Sequence, residues 1–218
     1  MSAPPPKPDV SRAEAARAAY SQLIADIERF GETLRARFPT AIACRLGCAG
    51  CCQQHLTILP IEAARLGDYV AALDAPTQAR LRQQAQATRR REDALFRDGP
   101  PRPTTFPPEP EQSVPCPALV DGACAVYPAR PALCRTHGFP LLYVDDDEES
   151  GLLDVCPLNF ADDAATITHR DVFDMTIVNA RLVAASLAFD AESERRSIAE
   201  IILSATDDLS AADDACGP

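Results

Sequence analysis

Apolar residues recur at helical spacing through the first forty residues of the chain. They form one stripe made up of Tyr20, Leu23, Ile27, Phe30, Leu34 and Phe38. Residues three and four apart share a face of an α-helix, so this stripe predicts an amphipathic helix over residues 11–38. Pro39 is expected to end the helix, since proline cannot continue one. The proline-rich residues 1–10 are predicted to form a disordered tail.

Further along the chain, helix start signals predict four more helices. Pro60 suits the first turn of a helix that runs to about residue 73, and Asp74 with Pro76 opens one that runs to about residue 96. Near the end, Thr168-x-x-Asp171 is predicted to start a helix with an apolar stripe, and a last helix is predicted for residues 193–204. The flanking helical region is therefore expected to cover residues 168–204, followed by a disordered acidic tail over 207–218.

The middle of the chain shows different sequence patterns from the helical segments on either side. Residues 99–117 contain eight prolines and are predicted to form an irregular linker or strap. Beyond it, apolar arms at 139–144 and 152–155 flank an acidic turn and predict a β-hairpin. The hydrophobic fraction is 46% with only 6% aromatics, which also favours helices. The expected fold is mainly α, with long irregular metal-bound loops and a small hairpin, in one domain over 11–206.

Net charge narrows the choice of partners. The chain carries 21 basic and 32 acidic side chains, a net charge of −11. An acidic surface repels phosphates, so neither nucleic acid nor a membrane is expected as a partner. Five arginines on the helix near residues 75–96 are interpreted mainly as a solvated charged face, with a docking surface for an unknown acidic protein as the alternative. They are Arg80, Arg82, Arg89, Arg90 and Arg91.

Cysteine content raises the question of compartment. The N-terminal residues lack the basic-then-apolar pattern of a signal peptide, and no apolar run approaches the length of a membrane span. A cytoplasmic location is expected, where thiols stay reduced. Nine cysteines in such a compartment are better explained by metal than by disulfides.

Four of the cysteines lie within nine residues, as Cys44, Cys48, Cys51 and Cys52. In an α-helix all four thiols would share one face. In a loop wrapped around a metal, Gly47 and Gly50 would permit close approach of the backbone. Both conformations direct the four thiols toward one volume. The alternative interpretation, which involves no metal, is an ordinary apolar stripe of buried cysteines.

A second group is spread over forty residues, as Cys116, Cys124, Cys134 and Cys156. Its first and last members precede proline, as ligand cysteines do in ferredoxins, although Cys-Pro also simply starts turns. The two groups are predicted to meet in space, with Cys134 beside the first group. Four plus four thiols suffice for one cluster with spare ligands or for two tetrahedral sites.

Several neighbours of the cysteines are candidates for supporting roles. Arg45, Arg130 and Arg135 are candidates to offset the charge of metal-bound thiolates. His55 and His137 are each interpreted as a ligand, a hydrogen-bond donor to a ligand or a plain polar residue.

The order of these motifs resembles the YkgJ-type cysteine-cluster proteins. The shared pattern is C-x3-C-x2-C-C, then C-P-A-L-V-D-G-A-C-A-V-Y-P-A-R-P-A-L-C-R and a final C-P, over about residues 44–157. The resemblance implies a zinc- or iron-chelating domain, with a metal-binding core over 44–158. The ligand candidates that it implies are Cys44, Cys48, Cys51, Cys52, Cys116, Cys124, Cys134 and Cys156. Cys216 matches nothing in the pattern and is treated as a non-ligand.

Sulfur-only ligation suits either zinc or an iron–sulfur cluster. Adjacent cysteines do not readily chelate one tetrahedral ion, which favours an iron–sulfur cluster, most simply [4Fe–4S], with Zn²⁺ as the alternative. Three functions stay open: a redox or sensing protein, a zinc-stabilised interaction module, and a cluster-dependent enzyme related to flagellin lysine methylase, whose cysteine motif is similar. No nucleotide-binding fingerprint or catalytic triad stands out, so whether the protein is an enzyme stays undecided.

Overall fold

The longest helix runs nearly where the apolar stripe predicts it. The computed structural model describes residues 10–45, 47–96, 108–144, 151–161 and 167–207. Helix α1 covers Val10–Arg37 and buries Tyr20, Leu23, Ile27 and Leu34. Its end, two residues before Pro39, confirms the predicted terminus. The predicted tails and the acidic turn at 145–150 lie outside the described residues, except for Val10 and Asp207 at their inner ends.

Helices α2 and α3 also follow their sequence signals. Helix α2 covers Pro60–Ala71 and places its proline in the first turn, where the missing N–H costs nothing. Helix α3 covers Ala75–Leu95 and is capped by Asp74, whose carboxylate accepts the N–H of Thr77 at 2.9 Å. A five-residue helix, α4, covers Ala132–Thr136 and carries Cys134.

The predicted start of the penultimate helix at Thr168 is wrong. Asp171 is buried and accepts the N–H and the hydroxyl of Thr168, which closes a turn instead of a helix. Helix α5 begins seven residues later and covers Met175–Phe189, with Asp174 as its cap. The last helix, α6, is also shorter than predicted, covering Ile198–Ala205 behind a capping box of Ser197 and Glu200.

In the described part of the chain, seven short strands pair into three small sheets. The first, β1 (Thr57–Ile58), pairs antiparallel with β7 (Arg196–Ser197), and β2 (Leu119–Val120) pairs antiparallel with β3 (Ala123–Cys124). The predicted hairpin is confirmed as β4 (Leu141–Tyr143) antiparallel to β5 (Leu152–Asp154). On its other side, β4 pairs in parallel with β6 (Phe173–Asp174), which the sequence did not predict. The fold is mainly α in one domain, as expected.

The described residues form two hydrophobic clusters, and α2 contributes to both. The first cluster is built by α1, α5 and the β4–β6 sheet, with Ile61 of α2. The second is built by α2, α3 and α6, with Leu66 and Val70 of α2 fully buried. The irregular middle of the chain lies against both clusters. Among the described residues, no helix is both long and apolar enough to cross a membrane.

Candidate metal centre

The first cysteine group forms a loop, so its helical interpretation is wrong. Residues 44–45 and 47–49 are irregular, and a single 3₁₀ turn covers Gly50–Gln53. Gly47 has a φ of +89°, a backbone conformation open to glycine but strained for other residues. This conformation is the loop that the sequence analysis gave beside the helix, in which glycine lets the backbone fold tightly around the thiols.

Asn159 ties the first group to the last cysteine of the second group. Its side-chain oxygen accepts the N–H of Ala43 at 2.8 Å, and its amide nitrogen lies 3.3 Å from the sulfur of Cys44. The same amide donates to the carbonyl of Gly138. The backbone N–H of Asn159 donates to the carbonyl of Cys156 at 2.8 Å. Buried and fully used, Asn159 holds these cysteines together, and nothing in its sequence context revealed this role.

The proline-rich stretch supplies the link between the two groups. Its described part, residues 108–117, is called the strap here. The strap runs along the first group: the N–H of Val114 donates to the carbonyl of Gln53 at 2.9 Å, and that of Cys116 to the carbonyl of Cys52 at 2.7 Å. The prediction that the two groups meet in space is therefore confirmed.

Helix α3 fastens the strap from the other side. The guanidinium of Arg91 donates to three strap carbonyls, those of Pro110, Glu111 and Ser113, at 2.7–3.2 Å. The hydroxyl of Thr88 donates to the carbonyl of Pro115 at 3.0 Å. These bonds satisfy backbone groups that a proline-rich segment cannot satisfy by itself.

Three other arginines of α3 also make contacts within the chain. Arg82 donates to the carbonyls of Leu203 and Thr206, and Arg80 pairs with Asp121. Arg89 pairs with the buried carboxylate of Glu92 at 2.7 Å. Arg80 and Arg90 are exposed, in line with the predicted solvated face, whereas the half-buried Arg82 fastens the end of α6 to α3.

Cys124 and Cys134 are positioned by local turns. Asp121 and Gly122 both have positive φ and turn the chain between β2 and β3, which brings Cys124 opposite Leu119. Cys134 lies in α4, whose first N–H donates to the buried carboxylate of Glu62 at 2.9 Å. Glu62 thereby connects α4 to α2, and burial raises its pKa.

All eight thiols line one cavity of about 440 Å³. Burial raises the pKa of the Cys116 thiol to about 12, and burial also raises the pKa of Cys134 above its usual range. The backbone N–H groups of Ala118 and Leu119 act in the opposite direction and lower the pKa of Cys116. The buried thiols are thus held in surroundings that disfavour a bare thiolate.

Backbone donors to sulfur recur at two more cysteines of the second group. The N–H of Val126 bonds to the sulfur of Cys124, and that of Leu158 to the sulfur of Cys156, in each case two residues further along the chain. For both thiols burial is the larger influence and raises the pKa. Amide groups directed at sulfur stabilise negative charge there, which is the charge a metal-bound cysteine carries.

The adjacent pair behaves as one unit. The side chains of Cys51 and Cys52 hydrogen-bond to each other, which lowers the pKa of Cys51 to about 6 and raises that of Cys52. Arg130 lowers the pKa of Cys51 further. Cys51 is the most exposed of the eight thiols and is therefore the one most readily present as a thiolate.

Arg130 offers a free donor beside the thiols. Its guanidinium stacks on Tyr127 at 3.7 Å and donates to the carbonyl of Cys134 at 3.2 Å. Its Nε is buried and bonds to no group among the described residues. An unpaired buried N–H is costly, so this atom suits a negatively charged group in the cavity.

The three arginines expected to offset thiolate charge differ in position. Arg135 is buried and donates to the carbonyls of Pro128 and Arg130, so much of its capacity is structural. Its charge still lowers the pKa of Cys124. Arg45 is exposed at the edge of the cavity.

Both candidate histidines line the same cavity. The Nδ1 of His55 lies 3.1 Å from the buried carboxylate of Glu92. Burial lowers the pKa of His137. Neither ring is assigned as a ligand by these contacts.

The donor set fits a thiolate-bound metal, although it is not closed around one. Within the described part of the chain, no three cysteine, histidine or carboxylate side chains converge tightly enough to hold an ion. Eight soft sulfur donors, their amide partners and the unpaired Nε of Arg130 nevertheless match the charge and chemistry of such a group. Ligation requires the thiols to draw closer by side-chain rotation.

Comparison with known proteins agrees with this chemistry. Residues 43–157, more than half of the chain, match the family CxxCxxCC, which is described as a putative zinc- or iron-chelating domain. The search of curated proteins and that of solved structures returned no match. The match spans all eight cavity cysteines, and the chain belongs to the CxxCxxCC family.

Proposed function

We propose that this protein holds iron in iron–sulfur form, as [4Fe–4S], through the eight cysteines of the cavity, with a redox, sensing or enzyme-supporting role. The observation that carries the proposal is the convergence of eight thiols from separate segments on one cavity of about 440 Å³. A cavity that gathers eight soft donors selects a thiophilic metal.

Cavity size favours a cluster over a single ion. Zinc–sulfur bonds of about 2.3 Å bring four thiols to within roughly 4 Å of one another and leave no room between them. A cavity of about 440 Å³ suits a group that has several irons and sulfides. Backbone N–H groups at Cys116, Cys124 and Cys156 also support this proposal, because hydrogen bonds to sulfur stabilise and tune such clusters.

A zinc-stabilised interaction module is the second candidate. It is favoured by the tight β2–β3 turn that joins the segments of Cys116 and Cys124, because structural zinc sites also use short turns between thiols. In that case the metal would fold the loops and perform no chemistry.

Metal analysis of protein purified without oxygen separates the two candidates. The iron–sulfur proposal expects a brown protein with iron and acid-labile sulfide in equal amounts, and loss of both in Cys134→Ser. Cys216→Ser is the control and should retain the wild-type content. A colourless protein with stoichiometric zinc, which gains no iron on reconstitution, would establish the zinc module instead.

A further inference from the structure

The outward face of helix α5 is apolar, although it is exposed. Ile177, Val183 and Leu187 are 57%, 43% and 51% exposed, and Ala180 and Ala184 lie exposed between them. These five residues are called the outer stripe here. With about 100° of rotation per residue they span about 120° of the helix, on the side opposite its buried residues. A helix face in water normally carries charged or polar residues, so a face of this kind marks a contact surface.

Polar side chains bound the outer stripe on both sides. Asn179 lies along one edge and Arg181 along the other, and Thr176 lies at the N-terminal end. The charge of Arg181 is balanced within the chain, because its guanidinium pairs with Asp26 of α1 at 2.8 Å. An apolar centre with a polar rim is the usual composition of a protein interface.

The longer segments outside the described residues carry few large apolar side chains that could cover this stripe. By sequence, residues 1–9, 97–107 and 208–218 contain one each, and residues 145–150 and 162–166 contain none. The three are Met1, Phe106 and Leu209. A single large side chain is too small to cover three others that are spread over about 15 Å of helix. Another molecule is therefore the better candidate to cover the stripe.

The spacing of the outer stripe is the same in both directions along the chain. Ile177 and Leu187 lie at its ends, and Ala180 and Ala184 lie three residues inward from each end. When two copies of α5 pack antiparallel about a two-fold axis at Leu182, Ile177 of one copy lies opposite Leu187 of the other, and each Ala180 lies opposite an Ala184. The small alanines at the centre allow the helix axes to approach to about 8 Å. A two-fold interface requires this self-complementarity, which the docking of an unrelated protein does not.

We propose that this protein forms a homodimer through α5, with the outer stripes of two copies packed antiparallel. Each stripe exposes on the order of 400 Å², the size of a functional apolar patch. Two stripes then bury about 800 Å² in total, against roughly 1,600 Å² for a standard interface, so the dimer is weak and reversible. Each copy also carries a net charge of −11, which opposes association at low salt. The expected dissociation constant is on the order of 100 μM.

Sedimentation equilibrium of the unmodified chain, as purified, tests the proposal. A thiol reductant is present, so that disulfides between copies do not contribute. The average mass should rise from that of one chain toward that of two as the protein concentration passes from about tenfold below to about tenfold above the dissociation constant. Association should strengthen when salt is added, because salt screens the like charges and leaves the burial of apolar surface intact.

Variants locate the interface. Ala184→Glu places a charge at the centre of the outer stripe and should weaken dimerisation at least tenfold. Ala18→Glu is the matched control, because Ala18 is an exposed alanine of α1, and it should associate as the wild type does. Circular dichroism and metal content should be unchanged in both. A chain with Ala180→Lys and Ala184→Lys and a chain with Ala180→Glu and Ala184→Glu should each be monomeric alone and should associate when mixed.

A wild type that stays monomeric over the whole concentration range would overturn the proposal and leave the stripe to another protein or to a segment of the chain itself. A dimer that persists unchanged in Ala184→Glu would also overturn it, because a different surface would then hold the two copies together. The wild-type measurement needs no substitution, so it decides the question even where a variant fails to fold.

Discussion

Replacement of Arg91 by alanine should loosen the strap without unfolding the protein. The guanidinium makes three hydrogen bonds to strap carbonyls, at 2.7, 2.9 and 3.2 Å, and is half-buried. A typical hydrogen bond contributes about 0.5–1.5 kcal/mol, and partial exposure places these at the lower end. Loss of all three should cost the closed strap about 2 kcal/mol. Since about 1.4 kcal/mol is a tenfold change, the open fraction of the strap should rise at least tenfold.

The strap leads directly to Cys116, so its opening exposes the second cysteine group. Metal release to a competing chelator should therefore become about tenfold faster in Arg91→Ala, while the thermal midpoint measured by circular dichroism changes little. Arg90→Ala is the matched control, because Arg90 is an exposed neighbour on the same helix. Identical release rates for the two variants would refute the reasoning, and so would a collapse of the helical signal in Arg91→Ala alone.

Four further outcomes follow from the structure. Gly138→Ala should lower the free energy of unfolding by about 2 kcal/mol in chemical denaturation and reduce metal content, because Gly138 has a φ of +102° and a Cβ would lie 2.7 Å from the sulfur of Cys44. Ser197→Ala should cost about 1 kcal/mol in the same assay through loss of the α6 cap, and no loss would contradict the capping geometry. Burial raises the pKa of the Asp171 carboxyl, but its hydrogen bonds outweigh burial and hold that pKa below 3.8. The stabilisation by the ionised carboxylate is therefore present above pH 3.8 and is lost as the pH falls further. Asp171→Asn should accordingly weaken the pH dependence of the unfolding free energy in that range. Removal of the metal should open residues 108–158 to proteases and leave most helical signal, whereas equal protease resistance with and without metal would show a preformed fold.

Local signals in the sequence predicted an element correctly where one residue determines where that element begins. Pro60 and Asp74 determine where α2 and α3 begin, and the alternation of residues 139–144 and 152–155 predicts the hairpin. The same logic failed at Thr168, because a capping pattern and a closed side-chain turn use the same pair of residues. Long-range contacts accompany the turn, namely the ion pair of Arg37 with Asp171 and the parallel pairing of β6 with β4, and a local motif does not reveal them.

The candidate site was predicted in content but not in architecture. The cysteine pattern predicted which thiols line the cavity, because all eight lie in the two cysteine groups. The residues whose contacts bring these thiols together show no recognisable motif in the sequence. Asn159, Glu62 and Arg91 act through single contacts with distant backbone groups, and ordinary asparagine, glutamate and arginine have the same appearance in a sequence. Charge patterning did not separate the exposed Arg80 and Arg90 of α3 from Arg82 and Arg91, which fasten other segments to this helix, because both kinds of arginine share one spacing.

The packing of α1 against α5 places a constraint on how the protein is made. These helices form the most extensive contact in the fold, although one lies near each end of the chain. All eight cavity cysteines are synthesised between them. At roughly 5–20 residues per second, the ribosome needs on the order of ten to thirty seconds to pass from Cys44 to the end of α5. Throughout that interval the thiols have been synthesised but their scaffold is incomplete, so oxidation and wrong metals compete for them. We therefore expect the metal to enter late in synthesis, or the nascent thiols to be protected until α5 is complete.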